Sequence, residues 1–591
     1  MSGDYFLAEV SFEAGNKVGG IWTVITSKSA YIKSTFGDNY LAVGFYNPNE
    51  AASEFLESPP PDFIKEALSD FKLEGVKIYF GNWVSANNTN IILIDSKDFE
   101  SKHINEIKKM FWDNFQIDSL NSSEDYDEPL AWSYAAGAFL EALGKHLDMR
   151  MVVQAHEWLS AGAILYLKSR GTKIPTVFTV HATVLGRAYS YAGSDTLSFI
   201  TTNISIDKAM PYNYGVANKH LTEKAGAFNA DAFTVVSDIV KKEAEVILGK
   251  KADFVTPNGI DLMNLPDDEE LDDMRDRAKD KFDQFLNSYF LPYYELNKKD
   301  IPIFFTSGRY EFYDKGFDLF IDALGKLDRM LPATNNVIAL IAVPSGTVGL
   351  KNEVVVNYLT YLGIKESLDE DLKNFDQLVA SDPNINNINL DKAYGKILND
   401  SRRLMAQLRR PKPTNPPLCP FLLSYPEQND MILNKLKENR LENSASNRVK
   451  IIFYPKYLTL GDELLNLTYN EALSISTAGF FLSKYEPFGY TPLEAAAYRA
   501  ISFTTDHSGF GACCVNIFKS EGKGVVIEKL IGQKREDIVN KTAEDMLRLA
   551  MLNKDDLAKL KMAARNMAEN FGWEKFLPSY LNAYESVLKR T

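Results

Sequence analysis

The stretch Tyr485-Glu486-Pro487-Phe488-Gly489-Tyr490-Thr491-Pro492-Leu493-Glu494-Ala495-Ala496 lies between an apolar run at residues 479–482 and an alanine-rich helical pattern. It reads as strand, loop and helix in succession. Pro487, Gly489 and Pro492 disfavour helix through its first half, which places Glu486 on a loop at the C-terminal end of a strand. Thr491, Pro492 and Glu494 have the order of an N-cap, a proline at the first helical position and a capping-box glutamate. The amides of Gly489, Tyr490 and Thr491 would then face an anion at the helix start. Glu494 has a structural task open to it as the capping carboxylate, whereas Glu486 caps nothing obvious.

The same alternation extends outward in both directions. Apolar runs rich in Val, Ile and Phe predict strands at 6–10, 41–45, 76–80, 91–94, 151–155, 176–180, 233–236 and 254–256. A second series runs through 303–306, 337–343, 449–453, 479–482, 501–504 and 524–527, with helical stretches such as 316–327 between and 536–551 after. Strands separated by helices predict parallel α/β units, one on each side of a boundary near 260–300. A chain of 591 residues needs at least two cores. Residues 266–300 are charged and helical in pattern. Residues 352–447 form a long helical insertion with a proline-rich break at 411–420, read either as a solvated insertion or as an oligomerisation arm. The tail from 553 is helical, with Trp573 and Phe576 as anchors.

Composition excludes several classes. A net charge of -14 argues against a nucleic-acid binder, which displaces counterions with a basic face. No apolar run approaches the ~20 residues of a membrane span, and residues 1–13 lack a signal peptide's basic and apolar regions. Three cysteines, Cys419, Cys513 and Cys514, form neither a disulfide framework nor a CxxC metal pair, so a reducing cytoplasm is expected.

Four further constellations sit where strands end. Residues 12–21 carry Lys17 and the paired Gly19 and Gly20 at a strand-to-helix turn, either an anion cradle or an ordinary tight turn; the P-loop order is absent. His156 and Glu157 follow the strand at 151–155, as site residues or as contacts at a helix start. His181 follows the strand at 176–180, with Arg187 nearby; a single histidine is as readily structural as catalytic. Arg309 and Lys315, six residues apart, suit a diphosphate, one as a planar donor fork and one as a point charge; loop solvation is the alternative.

Together, residues 16–25, 155–164, 179–187, 233–245, 256–262, 307–324 and 485–511 resemble, in order, segments of the eukaryotic-type glycogen synthases. These are retaining glycosyltransferases with two Rossmann-like domains facing a cleft, the GT-B fold. The resemblance implies an α/β chain with an N-terminal acceptor-side domain at 1–275 and a nucleotide-sugar domain at 276–565 containing a helical insertion at about 350–448. A C-terminal helix at 566–591 would pack back on the first domain. It further implies transfer of glucose from UDP-glucose to the non-reducing 4-OH end of glycogen or another α-1,4-glucan, with retention and with neither cofactor nor metal.

By the same resemblance Glu486 is catalytic near the transferred glucose and Glu494 holds the ribose. Arg309 and Lys315 neutralise the diphosphate, Arg187 adds a third base, and His181 touches the glucose. Lys17 and Gly20 belong to a loop closing over the donor, and Tyr469 stacks on the uracil. His156, Glu157, Asn258, Gly489, Tyr490 and Thr491 line the substrate site. A glycogenin-like primer and a homo-oligomer, a tetramer, are the implied partners. The family's arginine-rich sensor helix has no counterpart, because Arg535, Arg548, Arg565 and Arg590 are spread apart, so control by hexose phosphate or tail phosphorylation is not expected. The alternatives are a GT-B enzyme using another sugar nucleotide or acceptor, and a non-catalytic glycan-binding scaffold.

Overall fold

Strands apolar on both faces are stable only when helices cover them on both sides, and the chain meets this condition twice. The computed structural model describes all residues except 1–3, 18, 195–199, 202–205, 297–299, 382–386, 410–411, 413, 517–518, 520–523 and 591. The first half contributes β1 (Tyr5–Val10), β2 (Tyr40–Phe45), β3 (Phe55–Glu57), β4 (Lys77–Trp83), β5 (Thr89–Asp95), β6 (Arg150–His156), β7 (Thr176–Val180), β8 (Ala232–Val235) and β9 (Phe254–Val255). They form one sheet in the order β3-β4-β5-β2-β1-β6-β7-β8-β9. It is parallel from β5 to β9, while β3 and β4 add an antiparallel edge.

The second half contributes β10 (Ile303–Ser307), β11 (Val337–Ala342), β12 (Thr347–Leu350), β13 (Phe421–Leu423), β14 (Val449–Tyr454), β15 (Ala478–Phe480), β16 (Ile501–Thr505) and β17 (Val525–Glu528). Six of these make a parallel sheet in the order β14-β11-β10-β15-β16-β17, and β12 with β13 forms a separate antiparallel pair. The first sheet grows from β1 to β2 on one side and to β6 on the other; the second grows from β10 to β11 and to β15. Each therefore has a switch point, between β1 and β6 and between β10 and β15, where a crevice opens beyond the strand C-termini.

The sequence runs match these strands to within two residues at either end, apart from 76–80, which stops three residues short of the end of β4; the run 479–482 leaves the sheet after Phe480. Its continuation turns against Gly316, where φ is +67° and a Cβ would lie 2.0 Å from the Leu482 carbonyl oxygen, so only glycine fits. β3, β12 and β13 span three or four residues each and give no readable periodicity.

The charged segment forms the helix Asp268–Phe290, started by a capping box at Asp267 and Glu270. It runs unbroken through 275/276 and packs on the helices Tyr469–Ile475 and Asn352–Ser381. The insertion divides: Asn352–Ser381 and Asn387–Leu408 pair with each other, whereas Met431–Glu438 packs on Phe317–Met330. The latter joins the core through Ile432, Leu433 and Leu436. The helix Lys554–Glu569 crosses 565/566. The last helix, Trp573–Arg590, lies against Gly20–Phe36 and β6 to β9. Trp573 is fully buried there and donates Nε1–H to Ser27 Oγ at 3.0 Å, with Phe576 buried beside it. Among the described residues no helix is long and apolar enough to cross a membrane.

Candidate active site

The loops leaving β10 and β15 form one wall of the cleft. Lys315 donates to Glu486 Oε2 at 2.7 Å, with both side chains 16% exposed. Ser483 Oγ donates to the same oxygen at 3.3 Å. Among the described residues Glu486 Oε1 accepts no hydrogen bond. Arg309 is 63% exposed and pairs with Glu311 at 3.0 Å. Gly489 has φ +104°, and a Cβ there would lie 2.9 Å from Ser508 Oγ and 3.1 Å from Glu486 Cγ. A side chain at this position would push Glu486 off its place.

The expected capping box is not formed. The helix Tyr490–Ala497 starts one residue before Thr491, on Gly489 and without a side-chain cap. Thr491 therefore lies in the first turn, with Gly489's left-handed backbone making the turn that a cap would otherwise mark. Glu494 instead meets the Tyr469 hydroxyl, and burial pushes its carboxyl up to about 7 against the pull of that hydrogen bond. Tyr469 also reaches Ser307 Oγ at 3.4 Å.

The facing wall is built at the ends of β1, β6 and β7. His156 is buried with both ring nitrogens engaged, Nε2 with Glu9 Oε1 at 2.7 Å and Nδ1 with His181 Nε2 at 2.9 Å. Glu9 also accepts from Lys28 at 2.5 Å and from the Tyr40 hydroxyl at 2.7 Å. Burial opposes the Glu9 charge, but Lys28 and His156 outweigh it and hold the carboxyl below its ordinary range. Glu157 is buried as well; its Oε1 accepts from the His181 and Ala182 amides at 2.7 and 3.0 Å. His156 thus faces inward with both ring nitrogens on protein partners, and Glu157 turns Oε1 to the backbone of the His181 loop, so that both support His181 where a substrate contact was expected.

Glu243 accepts from the Thr183 amide at 3.0 Å, and Glu223 from the Val184 amide at 3.1 Å. Burial raises the carboxyls of Glu157, Glu223 and Glu243. Arg187 stands exposed beside them and favours their ionised forms. Among the described residues its guanidinium makes no ion pair.

Lys17 is exposed, its ammonium 4.9 Å from the Trp22 ring centroid, and Gly20 opens the helix Gly20–Phe36. The anion at that helix start is internal: Trp22 N–H donates to Glu13 Oε2 at 2.9 Å. Asn258 is buried beneath the last helix, with the Tyr580 hydroxyl at 3.5 Å. Several bonds tie the walls together. Ser190 Oγ donates to Asp314 Oδ1 at 2.8 Å, Ser237 Oγ to the Pro487 carbonyl at 2.7 Å, and the Tyr485 hydroxyl to Glu243 Oε1 at 2.9 Å. The structure thus gathers Glu486, Lys315, Arg309, Arg187 and His181 about one cleft, on supports to which the sequence reading gave no role: Glu9, Lys28, Glu13, Glu223, Glu243, Asp314 and Tyr485.

Two largely parallel sheets that present their switch-point loops to a shared, charged cleft make the GT-B fold of glycosyltransferases. The fold is shared with the catalytic domain of starch synthase IV from Arabidopsis thaliana bound to ADP and acarbose, at a TM-score of 0.57 and 14% identity over all of both chains. The chain belongs to the glycogen synthase family, whose profile matches residues 9–591. It is 28% identical to the glycogen [starch] synthase of Neurospora crassa, covering 99% of this chain and 84% of that one. It is 29% identical to the liver glycogen [starch] synthase of Mus musculus, covering 86% and 72%.

Proposed function

We propose that this glycosyltransferase moves glucose from UDP-glucose to the non-reducing 4-OH end of an α-1,4-glucan such as glycogen, with retention of configuration. The observation that carries the reading is the Lys315–Glu486 pair, which joins a phosphate-suited cation to a carboxylate with one free oxygen. Breaking the glucose–phosphate bond develops positive charge on the sugar and negative charge on the diphosphate. Arg309, Lys315, Arg187 and the amides opening Tyr490–Ala497 meet the second charge without a divalent metal, and Glu486 meets the first. The leaving phosphate takes the proton of the acceptor hydroxyl on the same face. His181 lies beside the glucose, Tyr469 and Glu494 take the nucleoside, and closure of the Lys17–Gly20 loop excludes water.

The acceptor-side domain ends in the turn before Asp267, and the last helix belongs to it by packing. The arm of Asn352–Ser381 and Asn387–Leu408 exposes Val356, Leu359 and Tyr394, which supports a homo-oligomer; the family resemblance adds the proposal of a tetramer in the cytoplasm that extends glucan from a glycogenin-like primer. Donor turnover tests the reading: the chain is incubated with glycogen and either UDP-glucose or ADP-glucose, and nucleotide release and glucan growth are measured. Growth with UDP-glucose is the expected result. Preference for ADP-glucose would overturn the donor, and release without growth would overturn the acceptor.

A further inference from the structure

The buried chain Lys28–Glu9–His156 that stands behind His181 has no part assigned to it in the proposed transfer, and its chemistry fixes more than position. Lys28 and Glu9 are completely buried, 2.5 Å apart. Glu9 is ionised, since Lys28 Nζ donates to one oxygen and the Tyr40 hydroxyl to the other. An ionised carboxylate only accepts, so the 2.7 Å contact from His156 Nε2 requires a proton on that nitrogen. Burial keeps His156 neutral, which leaves a lone pair on its Nδ1. The 2.9 Å contact between His156 Nδ1 and His181 Nε2 then requires the proton on His181 Nε2. Among the described residues nothing hydrogen-bonds His181 Nδ1. The last helix closes the charge off from water, with the Tyr580 ring centroid 4.7 Å from Lys28 Nζ.

We propose that Glu9, anchored by Lys28, acts through His156 as a positioning relay that locks His181 in its Nε2–H tautomer, so that His181 meets the cleft only as a neutral acceptor at Nδ1. His181 then binds a group that donates a hydrogen bond, such as a hydroxyl, and takes no part in holding phosphate charge. The catalytic consequence rests on the glycosyltransferase reading above; the tautomer does not.

Two measurements on the full chain separate the two. Histidine-selective 15N labelling reports the tautomers directly, and six histidines allow assignment by substitution. His156 and His181 are both expected as neutral Nε2–H forms at pH 7, whether or not transfer is observed. An imidazolium or an Nδ1–H form at His181 overturns the relay. In kinetics, His156→Leu is expected to lower kcat about 10- to 100-fold, as loss of the partner that orients a metal-bound histidine does, with UDP affinity unchanged. His156→Gln restores most of the loss, because its amide carries both a donor for Glu9 and an acceptor for His181. Unchanged kcat in His156→Leu, or equal losses in both variants, would sink the proposal.

Discussion

The molecule contains two lysine–glutamate pairs of nearly equal length on opposite walls of one cleft, and they do different work. Lys28–Glu9 is 2.5 Å long with no exposure at either side chain; Lys315–Glu486 is 2.7 Å long with 16% at each. The first is sealed under β1, β6 and the last helix, where each charge depends on the other. The second opens to the cleft, where in the proposed transfer a diphosphate takes over the lysine and a developing cation the carboxylate. The depth of a charge pair, more than its length, decides whether it is scaffold or machinery.

Breaking the buried pair should have the largest effect. Lys28→Met strands the Glu9 charge and is expected to destabilise the fold by about 3–5 kcal/mol, read from denaturant midpoints, while Glu9→Gln with Lys28→Met recovers most of that loss. Lys315→Met, the same change on the open wall, should cost at most about 1 kcal/mol. The Glu9 carboxyl is held below its ordinary 4.5, so the pair stabilises fully above that pH and loses its contribution as pH falls below it. Equal destabilisation by the two lysine variants would erase the distinction.

The open pair should dominate chemistry as the buried one dominates stability. Glu486→Gln keeps the shape but removes the charge, and transfer is expected to fall about 100- to 1000-fold, or about 3–4 kcal/mol of barrier. UDP binding by calorimetry should persist, since Arg309 and Lys315 remain. Transfer at the wild-type rate would remove Glu486 from the mechanism. A smaller loss follows for Arg309→Ala, which forfeits a charge-assisted contact made only with ligand: UDP affinity should drop about 10- to 100-fold with the unfolding midpoint unmoved, because its partner Glu311 lies in the same loop.

The open wall was legible in the sequence and the buried wall largely was not. Arg309, Lys315 and Glu486 stand on loops punctuated by glycine and proline, just after apolar runs, where charge has no packing role. The strands were legible because both faces of each are apolar. The supports of His181 come from distant segments; Glu9 and His156 are 147 residues apart, and no local pattern joins them. Glu9 did leave a signal, as the lone charge inside the buried strand Tyr5–Val10, since an ionised side chain there must find a partner. The Thr491 cap failed because a glycine with positive φ capped the helix two residues sooner. A residue-type pattern does not register that alternative.

Glu494 offers the finest test, because it shares a motif with Glu486 but not an environment. Its carboxyl is raised from 4.5 to about 7 by burial beside Tyr469. A raised group contributes its stability fully below its unfolded value and loses it as pH rises through its folded value. For Glu494 the loss therefore falls between 4.5 and about 7. The amide introduced by Glu494→Gln cannot ionise, so the variant should gain on the wild type across that window, by about 1–3 °C in Tm, and run parallel to it at lower pH. Other buried carboxyls, Glu157, Glu223 and Glu528 among them, are raised too, but they titrate in both proteins and cancel from the difference. Transfer by Glu494→Gln should fall far less than by Glu486→Gln, because an amide still accepts a hydrogen bond from a ribose hydroxyl but cannot face a developing cation. A loss as deep as that of Glu486→Gln would place both carboxylates in the chemistry and end the division between them.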